Sequence, residues 1–247
     1  MNNYCIVYCI DSTYNFKYYL NILIKSIKSF LLHNNYEIYI IHTSNFLQKK
    51  ILEELNVNFI ELDKIYSKII EKYNGAFLKP IIPLIKKLQS YDKILYIDAD
   101  IKFLNNIDEI FKLNFSNEED IIGFREDNDE IINRYDYILK LSRILKLYNI
   151  EYNINNYINS GVLLFNIPLI VRYIQIYFTK FLGMFKWIDI LEYDNRILEQ
   201  TALNLSFNIK SIKLYKYNYT YLRYRRNLPD KKDIVMLHYI GKTKKYF

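Results

Sequence analysis

The run Lys93-Ile94-Leu95-Tyr96-Ile97-Asp98-Ala99-Asp100 sets five mostly apolar residues ahead of two carboxylates one residue apart. A continuous apolar run of this length reads as a strand buried on both faces, the kind found in α/β folds with parallel strands. The C-terminal edge of such a sheet is where open α/β folds bind ligands. Two carboxylates so spaced can grip one hard divalent cation, and that cation can grip a diphosphate. Taken alone, an Asp-x-Asp more often ends a strand and caps a turn. Here Ile97 and Ile101 flank the acids. Carboxylates set between buried segments cost free energy unless they are paired or bound to metal.

Further segments alternate around this one. Cys5 to Ile10 reads as a first strand. Leu20, Leu23, Ile24, Ile27, Phe30 and Leu31 recur at spacings of three and four, an amphipathic helix over 16–32. Glu37 to Ile41 and Val57 to Ile60 read as strands, with a helix from Phe46 to Leu55 between them. Pro83 suits the first turn of a helix continuing over Leu84 to Leu88. Strands alternating with helices at this pace predict βαβ units and a mostly parallel sheet. Beyond residue 100, Ile121 to Phe124, Val162 to Phe165 and Ile234 to His238 read as strands, and 130–150 and 168–183 as helices. No Gly/Ser/Pro-rich linker divides the 247 residues, so one domain is expected over 1–247.

Composition narrows the class. Hydrophobic residues make up 51%, enough for a sizeable core. The 26 Tyr and abundant Asn, Ile and Lys reflect an AT-rich coding background, so single residues of these types carry little weight. The net charge of +7 permits attraction to phosphates or anionic membranes, although solvated Lys-rich helix faces account for it as well. Cys5 and Cys9 fall on one face of the same strand, an awkward geometry for a mutual disulfide, so a reducing cytoplasm is expected. No signal peptide and no transmembrane run of about 18 apolar residues is visible. The most apolar stretch, 168–190, is broken by Arg172, Lys180 and Lys186.

Three more segments carry chemistry. His238-Tyr239-Ile240-Gly241-Lys242-Thr243-Lys244 follows an apolar strand and joins an imidazole to a Gly and lysines suited to phosphate. An imidazole beside two carboxylates suits Mn²⁺ better than Ca²⁺. Asn159-Ser160-Gly161 reads as a polar turn feeding an apolar strand, with Asn159 able to donate and accept hydrogen bonds to vicinal hydroxyls. Glu199 and Gln200 read as the second turn of a helix capped by Asp194.

Together, in order and over nearly the whole chain, these segments resemble the family 8 retaining glycosyltransferases. That family includes bacterial lipopolysaccharide galactosyl- and glucosyltransferases and glycogenin. The match is carried by Phe77-Leu78-Lys79-Pro80 leading into Tyr96-Ile97-Asp98-Ala99-Asp100, by Asn159-Ser160-Gly161-Val162-Leu163, and by His238-x-x-Gly241-x-x-Lys244. The resemblance implies a GT-A type, Rossmann-like α/β domain, with 1–101 as the nucleotide-binding half and 102–247 as the sugar- and acceptor-binding half. It implies that Asp98, Asp100 and His238 hold Mn²⁺, or Mg²⁺ in its place. Cys9, Ile10, Asp11 and Tyr14 would frame uracil and ribose, Ala99 would also contact the UDP-sugar, and Gly241 and Lys244 would bind the diphosphate. Lys79 would reach donor sugar or phosphate. Asn159, Ser160, Glu199, Gln200 and Asp127 would face the transferred hexose, the last three forming the catalytic set.

Three departures stand out. The family's Asp-Gln pair is Glu199-Gln200, one methylene longer; its Asp-x-Asn-Tyr is Asp11-Ser12-Thr13-Tyr14; and its Lys-Pro-Trp is Lys244-Lys245-Tyr246. The expected activity is metal-dependent transfer of glucose or galactose from a UDP-sugar to a saccharide or glycolipid acceptor, in the cytoplasm or at the inner face of its membrane with at most peripheral contact. Two other readings stay open. One is a self-glucosylating primer like glycogenin. The other is a non-enzymatic RNA- or membrane-binding protein using Tyr221, Arg223, Tyr224, Arg225 and Arg226, with nucleic-acid binding the weaker case.

Overall fold

The computed structural model describes residues 3–10, 16–43, 49–73, 75–125, 143, 145–147, 149–153, 156–191, 198–212, 219–221 and 234–239. A seven-stranded sheet organises them, built from β1 (Tyr4–Ile10), β2 (Glu37–His42), β3 (Asn58–Glu61), β4 (Lys93–Ile97), β6 (Ile121–Arg125), β7 (Ile158–Asn166) and β8 (Ile209–Ile212). Its order is β3-β2-β1-β4-β7-β6-β8. The pairings β1–β2, β2–β3, β1–β4 and β6–β8 are parallel, while β7 runs antiparallel to both β4 and β6. A second sheet of three strands joins β5 (Ile101–Phe103), β10 (Met236–Tyr239) and β9 (Tyr219–Tyr221), with β10 in the middle.

The strand alternation divides the core in two. Cys5, Val7, Tyr96, Leu163 and Phe165 face one side of the main sheet, under the helices Ile174–Leu191 and Leu198–Ser206. Ile6, Tyr8, Leu95, Ile97 and Leu164 face the other, where Leu20, Leu23, Ile27 and Phe30 of the helix Phe16–Leu31 pack. Each aliphatic side chain so buried contributes about 1.5–3 kcal/mol. Apolar patterning therefore dominates the fold, and the polar edge described below is carried by it.

Several elements differ from the sequence reading for identifiable reasons. The segment before β4 is not an α-helix entered at Pro83. It forms 3₁₀ turns over Gly75–Leu84 and Lys86–Leu88, because Pro80 and Pro83 lack the N–H groups an α-helical ladder needs. The expected turn at Asn159-Ser160-Gly161 is the buried start of β7. Of the helix expected over 46–55 the described residues carry Lys49–Glu53, with 46–48 outside them, and that expected over 168–183 is two helices, Ile167–Arg172 and Ile174–Leu191. In the first of these Asn166 accepts from the Leu169 N–H as a cap, with Pro168 in the first turn. Tyr96, Asp98 and Lys79 gather on the side of the sheet that carries the helices at 174–206. No helix among the described residues is long and apolar enough to cross a membrane.

Candidate active site

The antiparallel insertion of β7 beside β4 builds the site. Ile97, the last residue of β4, pairs with Val162, so the N-terminal end of β7 lies against the C-terminal end of β4. The Asp98 N–H then donates to the Gly161 carbonyl at 2.8 Å. After a tight turn in which the Ile101 N–H bonds back to the Asp98 carbonyl, the chain enters β5. There Ile101 stands opposite His238 of β10, and the Tyr239 N–H donates to the Asp100 carbonyl. The second sheet thus delivers an imidazole from the end of the chain to the two acids.

His238 Nε2 lies 3.2 Å from Asp100 Oδ1 and 3.7 Å from Asp98 Oδ2. One ligand atom from each of the three residues falls within 4.8 Å of the others. Asp100 and His238 are buried, while Asp98 keeps a partly open side chain. Gly161 explains how the strands fit so closely. A Cβ there would stand 2.3 Å from His238 Cε1 and 3.0 Å from Asp98 Oδ2, so only Gly lets β7 pass behind these two side chains. Two carboxylates and an imidazole on a common point form a donor set that fits a divalent cation of borderline hardness.

Behind the acids lies a buried cation. Lys79 Nζ is 3.4 Å from Asp98 Oδ1 and 3.3 Å from Glu199 Oε2, donates to Ser160 Oγ at 3.0 Å, and lies over the Tyr96 ring at 5.4 Å. Burial opposes its charge, but the carboxylates of Asp98 and Glu199 override burial and hold the lysine protonated. Burial pushes the Glu199 carboxyl above its ordinary value, against the pull of Lys79 and Ser160. Ser160 Oγ also donates to Glu199 Oε2 at 3.1 Å, whereas Glu199 Oε1 is buried without a hydrogen-bond partner among the described residues. Buried carboxylate oxygens are rarely left so, because the desolvation cost is of the order of 1–3 kcal/mol or more.

The helix Leu198–Ser206 is stitched to β7. Gln200 Oε1 accepts from the Ser160 N–H at 3.1 Å, Asn204 bonds both the N–H and the carbonyl of Ile158, and Tyr157 and Thr201 share a hydroxyl contact. Glu199 follows Leu198, the first described residue of this helix. Asn159, also buried, accepts from the Gly161 N–H.

The expected residues therefore divide into three groups. Asp98, Asp100, His238, Lys79, Ser160, Glu199 and Gln200 are brought together. Cys9, the last residue but one of β1, lies on the same side, and burial raises its thiol pKa, with Lys79 and Asp98 acting on it electrostatically. Ile10 turns its side chain into the opposite core, and Ala99 packs against that core too. Asp11, Tyr14, Asp127, Asp194, Gly241 and Lys244 lie outside the described residues, as do the arginines at 223, 225 and 226. The sequence reading passed over Tyr96, whose hydroxyl donates to Asp98 Oδ1. The period-2 spacing of Tyr96 in β4 and Asp98 just past its end, which directs both side chains to one face, was the available signal.

Residues 5–245 match the model of glycosyl transferase family 8. No curated protein matches. Among solved structures, the apo bifunctional glycosyltransferase WbbM aligns at TM-score 0.64 and 16% identity over 97% of this chain, which spans 46% of WbbM. Apo mouse xyloside xylosyltransferase 1 aligns at TM-score 0.67 and 14% identity, covering 98% of this chain and 99% of that one. An active-site Gln-to-Glu variant of LgtC aligns at 0.66 and 14%, covering 96% and 87%; LgtC, a galactosyltransferase, is also among the similar structures in complex with donor and acceptor sugar analogues. At these identities the likeness shows a shared fold, a mostly parallel central sheet with flanking helices of the GT-A type.

Proposed function

This chain belongs to glycosyl transferase family 8, and on that footing we propose that it is a metal-dependent, retaining hexosyltransferase. It would move glucose or galactose from a UDP-sugar to a saccharide or glycolipid acceptor. The observation that carries the reading is the convergence of Asp98, Asp100 and His238 directly in front of the Lys79–Ser160–Glu199 cluster. Nothing in a purely structural strand end calls for three metal-type ligands backed by a buried lysine.

Asp98, Asp100 and His238 would hold Mn²⁺, or Mg²⁺ in its place. When bound, the cation supplies Lewis-acid stabilisation of the charge that develops on the departing diphosphate. Lys79 adds a fixed, protonated cation beside the donor. Glu199 Oε1, buried and without a hydrogen-bond partner among the described residues, would offer an acceptor to a sugar hydroxyl, and Asn159 and Asp127 would add contacts to the same sugar. Gln200 spends its amide oxygen on the Ser160 N–H, which favours a positioning role over a nucleophilic one. LgtC likewise has an active-site Gln. Retention then follows from attack by the acceptor hydroxyl on the face the diphosphate leaves. Cys9, Ile10, Asp11 and Tyr14 would frame the nucleoside, and Gly241 and Lys244 the diphosphate. Residues 1–247 act as one catalytic unit in this account, with the donor side in 1–101 and the sugar and acceptor side in 102–247. The two free cysteines suit a reducing compartment.

The test is hydrolysis of UDP-glucose and UDP-galactose by the purified protein with Mn²⁺, alongside Asp100→Asn. Mn²⁺-dependent release of UDP that Asp100→Asn abolishes supports the reading. A wild-type protein that neither binds nor turns over either donor overturns it.

A further inference from the structure

The two oxygens of Asp98 have different surroundings. Oδ1 accepts from the Tyr96 hydroxyl and lies 3.4 Å from Lys79 Nζ, while Oδ2 faces His238 Nε2 at 3.7 Å. Tyr96 is fixed in turn: its side chain is buried, it stands two residues before Asp98 on β4, and the Lys79 ammonium covers its ring. Lys79 is itself anchored from the far side by Ser160 and Glu199. The carboxylate plane of Asp98 is thereby set by groups that bind no metal.

We propose that Tyr96 is a positioning residue that reserves Asp98 Oδ2 as a single-oxygen metal ligand and so biases the site against Ca²⁺. The inference rests on the reading that Asp98, Asp100 and His238 hold a divalent cation. A carboxylate whose one oxygen is tied by a phenol and an ammonium cannot swing to offer both. Mn²⁺ and Mg²⁺, with compact coordination shells, accept one oxygen per carboxylate together with imidazole or water. Ca²⁺ takes six to eight oxygens and draws on two-oxygen carboxylates to reach that number. Outer partners of this kind orient metal ligands, and their loss typically weakens affinity about 10–100-fold. A phenol that merely fills the core and satisfies its own hydroxyl would leave ion preference untouched.

The experiment compares wild type, Tyr96→Phe and Asp100→Asn by direct metal titration: Mn²⁺ alone, read by electron paramagnetic resonance of the free ion, then Ca²⁺ in competition. Melting temperature without metal shows whether each variant is folded. The expected result is tight Mn²⁺ binding by wild type, loss in Asp100→Asn, and in folded Tyr96→Phe a roughly ten-fold rise in Mn²⁺ Kd with a smaller change for Ca²⁺. An unchanged Mn²⁺/Ca²⁺ ratio in folded Tyr96→Phe overturns the inference while leaving the metal site standing. Wild type that binds no Mn²⁺ removes both.

Discussion

His238 Nε2 and Asp100 Oδ1 stand 3.2 Å apart although they come from distant parts of the chain, Asp100 just ahead of β5 and His238 within β10. The contact is made by backbone register and not by side-chain reach: Ile101, the residue after Asp100, is the direct partner of His238. Replacing the imidazole therefore leaves the strands paired. His238→Ala is expected to fold with a melting temperature close to wild type, to lose Mn²⁺ binding, and to lower kcat/KM for the UDP-sugar by at least about 100-fold, near 3 kcal/mol of transition-state stabilisation. Steady-state kinetics with a Mn²⁺ series checks this.

Gly161→Ala tests the closeness of β7. The added methyl would meet His238 Cε1, Asn159 Oδ1 and Asp98 Oδ2, all at 3.0 Å or less. Overpacking of this kind costs about 1–3 kcal/mol, and here it falls on His238 and Asp98, two of the proposed metal ligands. Chemical denaturation should give a loss in that range, and metal titration a Kd raised more than about ten-fold, the scale on which disturbed ligand orientation weakens a site.

Lys79→Met removes the cation between two carboxylates. Truncating one partner of a buried ion pair costs about 3–5 kcal/mol when the other charge is left behind. The sign of the pH dependence follows from Glu199, whose carboxyl is raised by burial above its ordinary value. Such a group contributes stability at pH below its unfolded pKa and loses it as pH rises through its folded pKa. Without Lys79 the folded value rises further. The deficit of Lys79→Met relative to wild type should therefore be smallest in mild acid, just above the ordinary carboxylate range, and should grow toward neutral pH. Urea melts across that range would show the trend, and a deficit that shrinks with rising pH would contradict it.

Glu199→Asp restores the shorter acid and withdraws Oε1 from its buried position. Because a single hydrogen-bond partner can decide between sugars differing at one hydroxyl, the ratio of kcat/KM for UDP-glucose and UDP-galactose should change by roughly ten-fold or more. Competition assays with both donors measure it directly.

The β1, β2, β4 and β6 strands were legible because each is a short apolar run with a polar stop. The start of β7 was not legible: Asn159, Ser160 and Gly161 have turn composition, yet in the fold their polar groups are satisfied by Gln200, Glu199, Lys79 and each other. Local pattern cannot report bonds made across such distances. The same holds for β10, read as one more strand but paired outside the main sheet, since sheet membership is a non-local property. The metal-type triad was named from sequence through the resemblance. The uneven environment of the two Asp98 oxygens was visible only once Tyr96 and Lys79 were in place.

The central claim, that Asp98, Asp100 and His238 make nucleotide binding depend on a divalent cation, is tested most directly by thermal melting with UDP, with and without Mn²⁺, on wild type and Asp100→Asn. Selective ligand binding raises the melting temperature of the folded state. UDP should raise it for wild type only when Mn²⁺ is present, and should not for Asp100→Asn under either condition. A UDP-induced rise that is the same without Mn²⁺, or that survives in Asp100→Asn, would contradict the account.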